Sequence, residues 1–161
     1  MDSNPWPAAT RSLLAMLVFI SLNAESARGQ DAEVRYAVDQ IFEGMRVADA
    51  DVVRAVFSSE TRFATMDTRN GGAVIRSQSV EGWLSAIDKS EGAWDEQIYQ
   101  VQVLVDENMT SVWAPYTSYL NGEISHCGIN SIELLKDSEG WKVTQLSDTR
   151  SEEACPDPLG G

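Results

Sequence analysis

The third of the chain from Gln97 to Arg150 constrains the fold most, because it alternates apolar and polar residues and is cut by turn signals in three places. In the stretch Gln97 to Val105, residues Tyr99, Val101, Val103 and Val105 fall on one side, and Asp106-Glu107-Asn108 breaks it. Thr110 to Leu120 follows, then Asn121-Gly122, a pair suited to the positive φ angles of a two-residue hairpin. Glu123 to Lys136 runs to the turn Asp137-Ser138-Glu139-Gly140, and Trp141 to Arg150 closes the series. A period of two between short polar turns predicts a meander of four long antiparallel strands. In the last strand the apolar positions Trp141, Val143 and Leu146 slip by one residue, which predicts a bulge near Thr144-Gln145.

The residues before the meander follow a different period. From Asp31 to Ala48, Val34, Ala37-Val38, Ile41-Phe42 and Met45 recur at the three-and-four spacing of a helix with one buried face. A short helix over Ala50 to Phe57 follows, with Asp49 or Asp51 as its cap, and Ser58-Ser59-Glu60 ends it. Thr61 to Met66 and Ala73 to Arg76, joined by Asn70-Gly71-Gly72, predict two short strands or a hairpin. Val80 to Lys89 puts Val80, Trp83-Leu84 and Ile87 on one helical face behind Ser79 as cap. Helices first and long strands later is the order of an α+β domain whose curved sheet wraps helices packed on one face.

The ends of the chain bear on where it works. Arg11 precedes an uncharged run from Leu13 to Leu22, too short for the ~20 residues of a membrane span but suited to the apolar region of a secretory signal. Ala27-Arg28-Gly29 predicts a cut before Gln30, with Leu22-Asn23-Ala24 as an earlier site, and an uncleaved anchor is the other reading of the leader. The remaining chain, residues 30 to 152 with a tail at 153 to 161, is one domain. The 12 basic and 25 acidic residues give a net charge of -13, which repels nucleic acid and anionic lipid. Export to a periplasmic or secreted location makes Cys127 and Cys155 a disulfide pair. Residues 151 to 155 must then bend back, because a disulfide needs Cα atoms within about 7 Å, and the loop it closes is worth about 3 kcal/mol.

This order of elements, together with "GWKVTQLSDTR" at 140 to 150, resembles the nuclear transport factor 2-like superfamily, in particular its SnoaL-like small-domain branch, over about residues 31 to 152. The resemblance implies a cone in which the curved sheet closes over the helices and leaves one blind pocket at the wide end. Among such proteins are polyketide cyclases, ketosteroid-type isomerases, dehydratases and pocketed proteins without known turnover, so the fold names no reaction. In the enzymes an interior Asp or His serves as general acid or base, assisted by Tyr or Asp donors.

Candidate site residues come from the register of the last two strands. With the turn centred on Ser138-Glu139 and one bulge, Asp148 lies opposite Asn130 and Glu152 opposite His126, on one face. His126 and Asp148 are then roughly 13 Å apart along the ladder, too far for a direct hydrogen bond. Tyr116 or Ser118, of the same parity on the neighbouring strand, can join them. His126 has the intrinsic pKa of a proton-transfer group, and neighbouring carboxylates favour its charged form; the alternative is a structural histidine near a strand end. Asp148 is a pocket acid or base, or the partner of Arg150, or a cap of the last turn. Cys127 points away from His126 and cannot form a nucleophile pair with it. One histidine and two paired cysteines are too few for a metal site, and no residue pattern points to a cofactor. Trp83, Trp113, Tyr116, Tyr119 and Asn130 are expected to line the pocket.

Three functions fit these features. The first is an exported pocket protein that binds a small apolar or amphipathic molecule. The second is a SnoaL-like lyase, isomerase or hydrolase that uses Asp148 or His126 as general acid or base, with Tyr116 or Tyr119 stabilising an enolate-like oxygen. The third is an interaction module that forms a homodimer through the outer face of the sheet.

Overall fold

Residues 28–46 form the first helix (α1), whose inner stripe of Val34, Ala37, Val38, Ile41, Phe42 and Met45 is buried at the expected spacing. The computed structural model describes residues 28–69, 71–90 and 94–160, so most of the proposed leader, and Asn70 of the predicted turn, lie outside the described residues. Helix α2 spans Ala50–Ala55, and Asp49 caps it by accepting from the backbone N–H groups of Asp51 and Val52. Helix α3, Val80–Asp88, starts at Ser79, whose hydroxyl accepts from Gly82 N at 3.1 Å, and buries Trp83, Leu84 and Ile87. Among the described residues no helix is long and apolar enough to cross a membrane.

Seven strands form one curved, unclosed sheet: β1 Phe57–Asp67, β2 Val74–Gln78, β3 Trp94–Ile98, β4 Gln102–Asp106, β5 Met109–Leu120, β6 Glu123–Asp137 and β7 Gly140–Arg150. Their order is β2-β1-β7-β6-β5, with β3 and β4 both on the far edge of β5. All pairs are antiparallel except β1 with β7. The hairpin from β5 to β6 turns on Asn121 and Gly122, with φ of 56° and 86°, as that dipeptide predicts. Pairing steps from Glu133↔Gln145 to Leu134↔Val143 and leaves Thr144 as the extra residue, so the bulge falls where the slipped alternation puts it.

Two predicted elements differ from the structure. The strand expected from Gln97 to Val105 is two, β3 and β4, with Gln100 between them at φ 50°. Opposite this break lies Pro115, whose carbonyl accepts from Tyr99 N at 3.0 Å but which has no N–H to offer the same edge. A proline in a central strand is tolerated here because its neighbour bends away. The stretch Ser58-Ser59-Glu60, expected to end a helix, belongs instead to β1: Phe57 already pairs with Val143, and Val143 N donates to Val56 O at 2.8 Å.

After β7, Ser151 bridges to Cys127, and the chain folds back so that Cys155 forms a disulfide with Cys127 across a Cα separation of 5.5 Å. The tail lies on the convex face of the sheet. There Thr117 donates to Pro156 O at 2.8 Å and Tyr119 to Asp157 at 2.6 Å.

Candidate functional site

Side chains on the concave face stack in layers across β1, β7, β6 and β5, because pairing brings alternate residues to one level. Phe63, Leu146, Ile132 and Val112 form an apolar layer. Two residues along each strand, the next layer is Thr65, Asp148, Asn130 and Ala114. Above it stand Arg150 paired with Asp67, and Tyr116 paired with Gly128; the last layer joins His126, Ser118 and Glu96. The concave face thus turns from hydrocarbon to polar within one two-residue step.

The polar layers are hydrogen-bonded to one another. Arg150 Nε donates to Asp148 Oδ2 at 2.6 Å, Thr65 Oγ1 donates to the other carboxylate oxygen, and Tyr116 OH lies 3.4 Å from Oδ2 while donating to Thr149 O at 3.0 Å. Asn130 Nδ2 donates to Glu96 Oε2 at 3.2 Å. The close approach of β7 requires Gly128, since a Cβ there would stand 1.8 Å from the Thr149 carbonyl oxygen. Tyr116 meets the His126 ring edge-on, with centroids 5.7 Å apart. His126 Nδ1 lies 3.1 Å from Ser125 Oγ, and its Nε2 is buried with no hydrogen-bond partner among the described residues.

Burial sets the charge states. It raises the Glu96 carboxyl from 4.5 to about 7; Asp148 adds to the rise, against the Asn130 hydrogen bond and the Arg150 cation. Burial lowers His126 from 6.5 to about 4, and the cations Arg150 and Arg69 lower it further. The expectation that nearby carboxylates keep His126 charged is therefore corrected: Asp148 and Asp67 pull that way, but desolvation and the two arginines outweigh them. Burial also raises the Tyr116 phenol, which stays protonated and able to donate.

A cavity of about 310 Å³ opens above the polar layers, walled by Met45, Trp83, Trp94 and Leu120, with Glu96, His126 and Arg150 as its titratable interior groups beside the neutral Gln78, Ser118 and Ser125. Below it, a void of about 20 Å³ shares Met45, Trp83, Glu96 and Arg150 and reaches Asn130 and Asp148. Of the residues expected at the pocket, Trp83 and His126 line the cavity and Asn130 and Asp148 only the void beneath it, while Tyr116, buried on the interior side, lines neither space. His126 and Asp148 are not bonded to each other, and Tyr116 lies between them.

Trp113 does not line this cavity. It has the opposite parity to Ala114 and Tyr116, and is 50% exposed on the convex face. Tyr119 touches the cavity mouth, but it also has odd parity and its hydroxyl is bound to Asp157. Glu96 is the residue that sequence reasoning missed. It lay just outside a strand drawn from Gln97, although Trp94, Glu96 and Ile98 alternate on one side and extend it. Arg150, expected only as a partner for Asp148, is also a cavity wall.

No family model and no curated protein matches the sequence. Solved structures match in shape. A nuclear transport factor 2-like protein of unknown function from Shewanella baltica superposes with a TM-score of 0.59 at 15% identity, covering 76% of this chain and 94% of its own. A candidate scytalone dehydratase from Novosphingobium aromaticivorans gives 0.64 at 9% identity, over 86% of this chain and 98% of its own. A candidate dehydratase of the same fold family from Streptomyces avermitilis gives 0.59 at 12% identity, over 74% and 94%. At these identities the likeness is one of fold.

Proposed function

For this chain with the nuclear transport factor 2-like fold, we propose an exported pocket protein that binds a small amphipathic molecule. The observation behind this reading is the cavity of about 310 Å³, whose walls are indole, thioether and aliphatic carbon and whose polar lining includes Glu96, His126 and Arg150. That volume is at the small end of ligand pockets, suited to a single ring or a short chain. Export is supported by the leader pattern and by the Cys127–Cys155 disulfide, which favours an oxidising compartment.

Native mass spectrometry of the unreduced protein from its exported fraction tests both parts. The expected mass is that of residues 30 to 161 less two hydrogens, with an additional bound species. A full-length species without ligand, together with no change in tryptophan fluorescence on titration with short amphiphiles, would overturn the proposal.

A second reading, a lyase, isomerase or hydrolase, is favoured by one observation: Glu96 titrates at about 7 beside a cavity that also holds neutral His126 with Nε2 free. The candidate dehydratases among the structural neighbours are consistent with it. Asp148 suits the role of base less well than Glu96, because three donors already approach its carboxylate. On this reading Glu96→Gln abolishes elimination of water from a bound hydroxy-carbonyl compound while binding persists, and wild-type turnover in that variant would sink it. The exposed Trp113 and Ile75 on the convex side also favour a homodimer, which sedimentation at micromolar concentration would detect.

A further inference from the structure

Building on the pocket-binding reading, we infer that the polar head of the bound molecule is a carboxylate, held by the terminal nitrogens of Arg150 beside Glu96. Arg150 engages Asp148 through Nε, and among the described residues no protein acceptor bonds its two terminal nitrogens. Nor do those nitrogens appear among the buried unpartnered atoms, which are Ser90 Oγ and His126 Nε2, so they keep access to open space. Arg150 borders both the cavity and the void beneath it, so that open space is the pocket.

A planar guanidinium with its outer nitrogens unoccupied matches the two oxygens of a carboxylate. An ammonium head would meet the same cation and be repelled. An alcohol would leave most of the guanidinium unpaired in a partly dry site.

Glu96 makes the binding depend on protons. Among the described residues no ion pair links it to Arg150, yet both line the same two spaces, so an ionised Glu96 and a ligand carboxylate would compete for one cation that Asp148 already pairs with. The other charged or titratable groups around it are Tyr116 of β5, His126 of β6 and its strand neighbour Asp95. On the outer side, the groove that Glu96 shares with α1 holds Asp39, Glu43 and Arg46. Among these the Arg46 side chain is taken up by Glu43. With Glu96 raised to about 7, affinity for a carboxylate is expected to fall about tenfold for each pH unit above that value, as the competent protonated fraction falls.

Calorimetry on the disulfide-intact chain with hexanoate, hexan-1-ol and hexylamine tests the inference at pH 6 and pH 8.5. Hexanoate is expected to bind at least about tenfold tighter than the other two at pH 6, and to weaken by about tenfold or more at pH 8.5. Arg150→Gln is expected to erase the preference for hexanoate. Because that variant also frees Asp148, Glu96→Gln provides an independent check: it should keep hexanoate binding and flatten its pH dependence. Hexanol or hexylamine binding as well as hexanoate would overturn the carboxylate assignment and leave the pocket reading standing. If none of the three binds, both fail, and an unchanged pH profile in Glu96→Gln would remove Glu96 from the account.

Discussion

Each of β5, β6 and β7 is half core and half site, and the two halves obey different rules although strand, register and covering helices are shared. In the lower half Val112, Ile132, Leu134, Val143 and Leu146 are nearly sealed from solvent and make only van der Waals contacts with the helices. In the upper half the same faces carry Ser118, His126, Asn130, Asp148 and Arg150, where Asp148 is fully held by its partners while His126 Nε2 and the terminal nitrogens of Arg150 have no partner among the described residues. Period-two alternation decides which face a side chain joins, while the residue type at each level decides whether that level is structure or chemistry. A substitution below should leave a void, and one above should leave a polar group unpaired.

The largest expected effect tests the lower half. Leu134→Ala should cost about 2–5 kcal/mol in chemical denaturation and leave the affinity of the folded fraction unchanged. Loss of binding in that variant at temperatures where it remains folded would show that the halves are one unit. Replacing both Cys127 and Cys155 with Ser should cost about 3 kcal/mol and release the tail from Thr117 and Tyr119, seen as early hydrogen exchange there. Gly128→Ala should cost about 1–3 kcal/mol by forcing β7 away, and should disturb Tyr116, Asp148 and ligand affinity more than its stability loss suggests.

The smallest effects come from pH, and here the sign distinguishes the two titrating groups. Glu96 is higher in the folded chain, about 7 against 4.5, so its contribution is fully present below the lower value and is lost as pH rises through the upper. His126 is lower in the folded chain, about 4 against 6.5, so its contribution is present above 6.5 and is lost as pH falls towards 4. Where the two windows overlap, from 4.5 to 6.5, the slopes oppose each other. Melting curves of Glu96→Gln should therefore match wild type near pH 4.5 and run increasingly above it towards pH 7; a constant offset would contradict the raised Glu96.

Much of the fold was legible because its signals are local. The Asn121-Gly122 hairpin, the Asp49 and Ser79 caps and the bulge at Thr144 each follow from a few adjacent residues. The pairing of Asn130 with Asp148 could be counted outward from one turn. The break opposite Pro115 was hidden because it depends on a residue in another strand. Glu96 was hidden for a similar reason: its raised proton affinity arises from burial against β5, β6 and β7, which no window of sequence contains. Trp113 is misplaced by composition, since aromatic character suggests a pocket wall while strand parity sends it outward, whereas Tyr119 does reach the cavity beyond the register shift after Ser118.

The parallel pairing of β1 with β7 also has a kinetic meaning. Phe63 meets Leu146, and Thr65 meets Asp148, across more than half the length of the chain, whereas β5, β6 and β7 are joined by tight turns. Closing so long a loop is entropically slow, so the meander should acquire protection first in pulsed hydrogen exchange, and β1 should dock last. The polar layers, which need Thr65 and Asp148 together, are then completed only once nearly the whole polypeptide is available, and a chain truncated before β7 should have a nascent hairpin but no site.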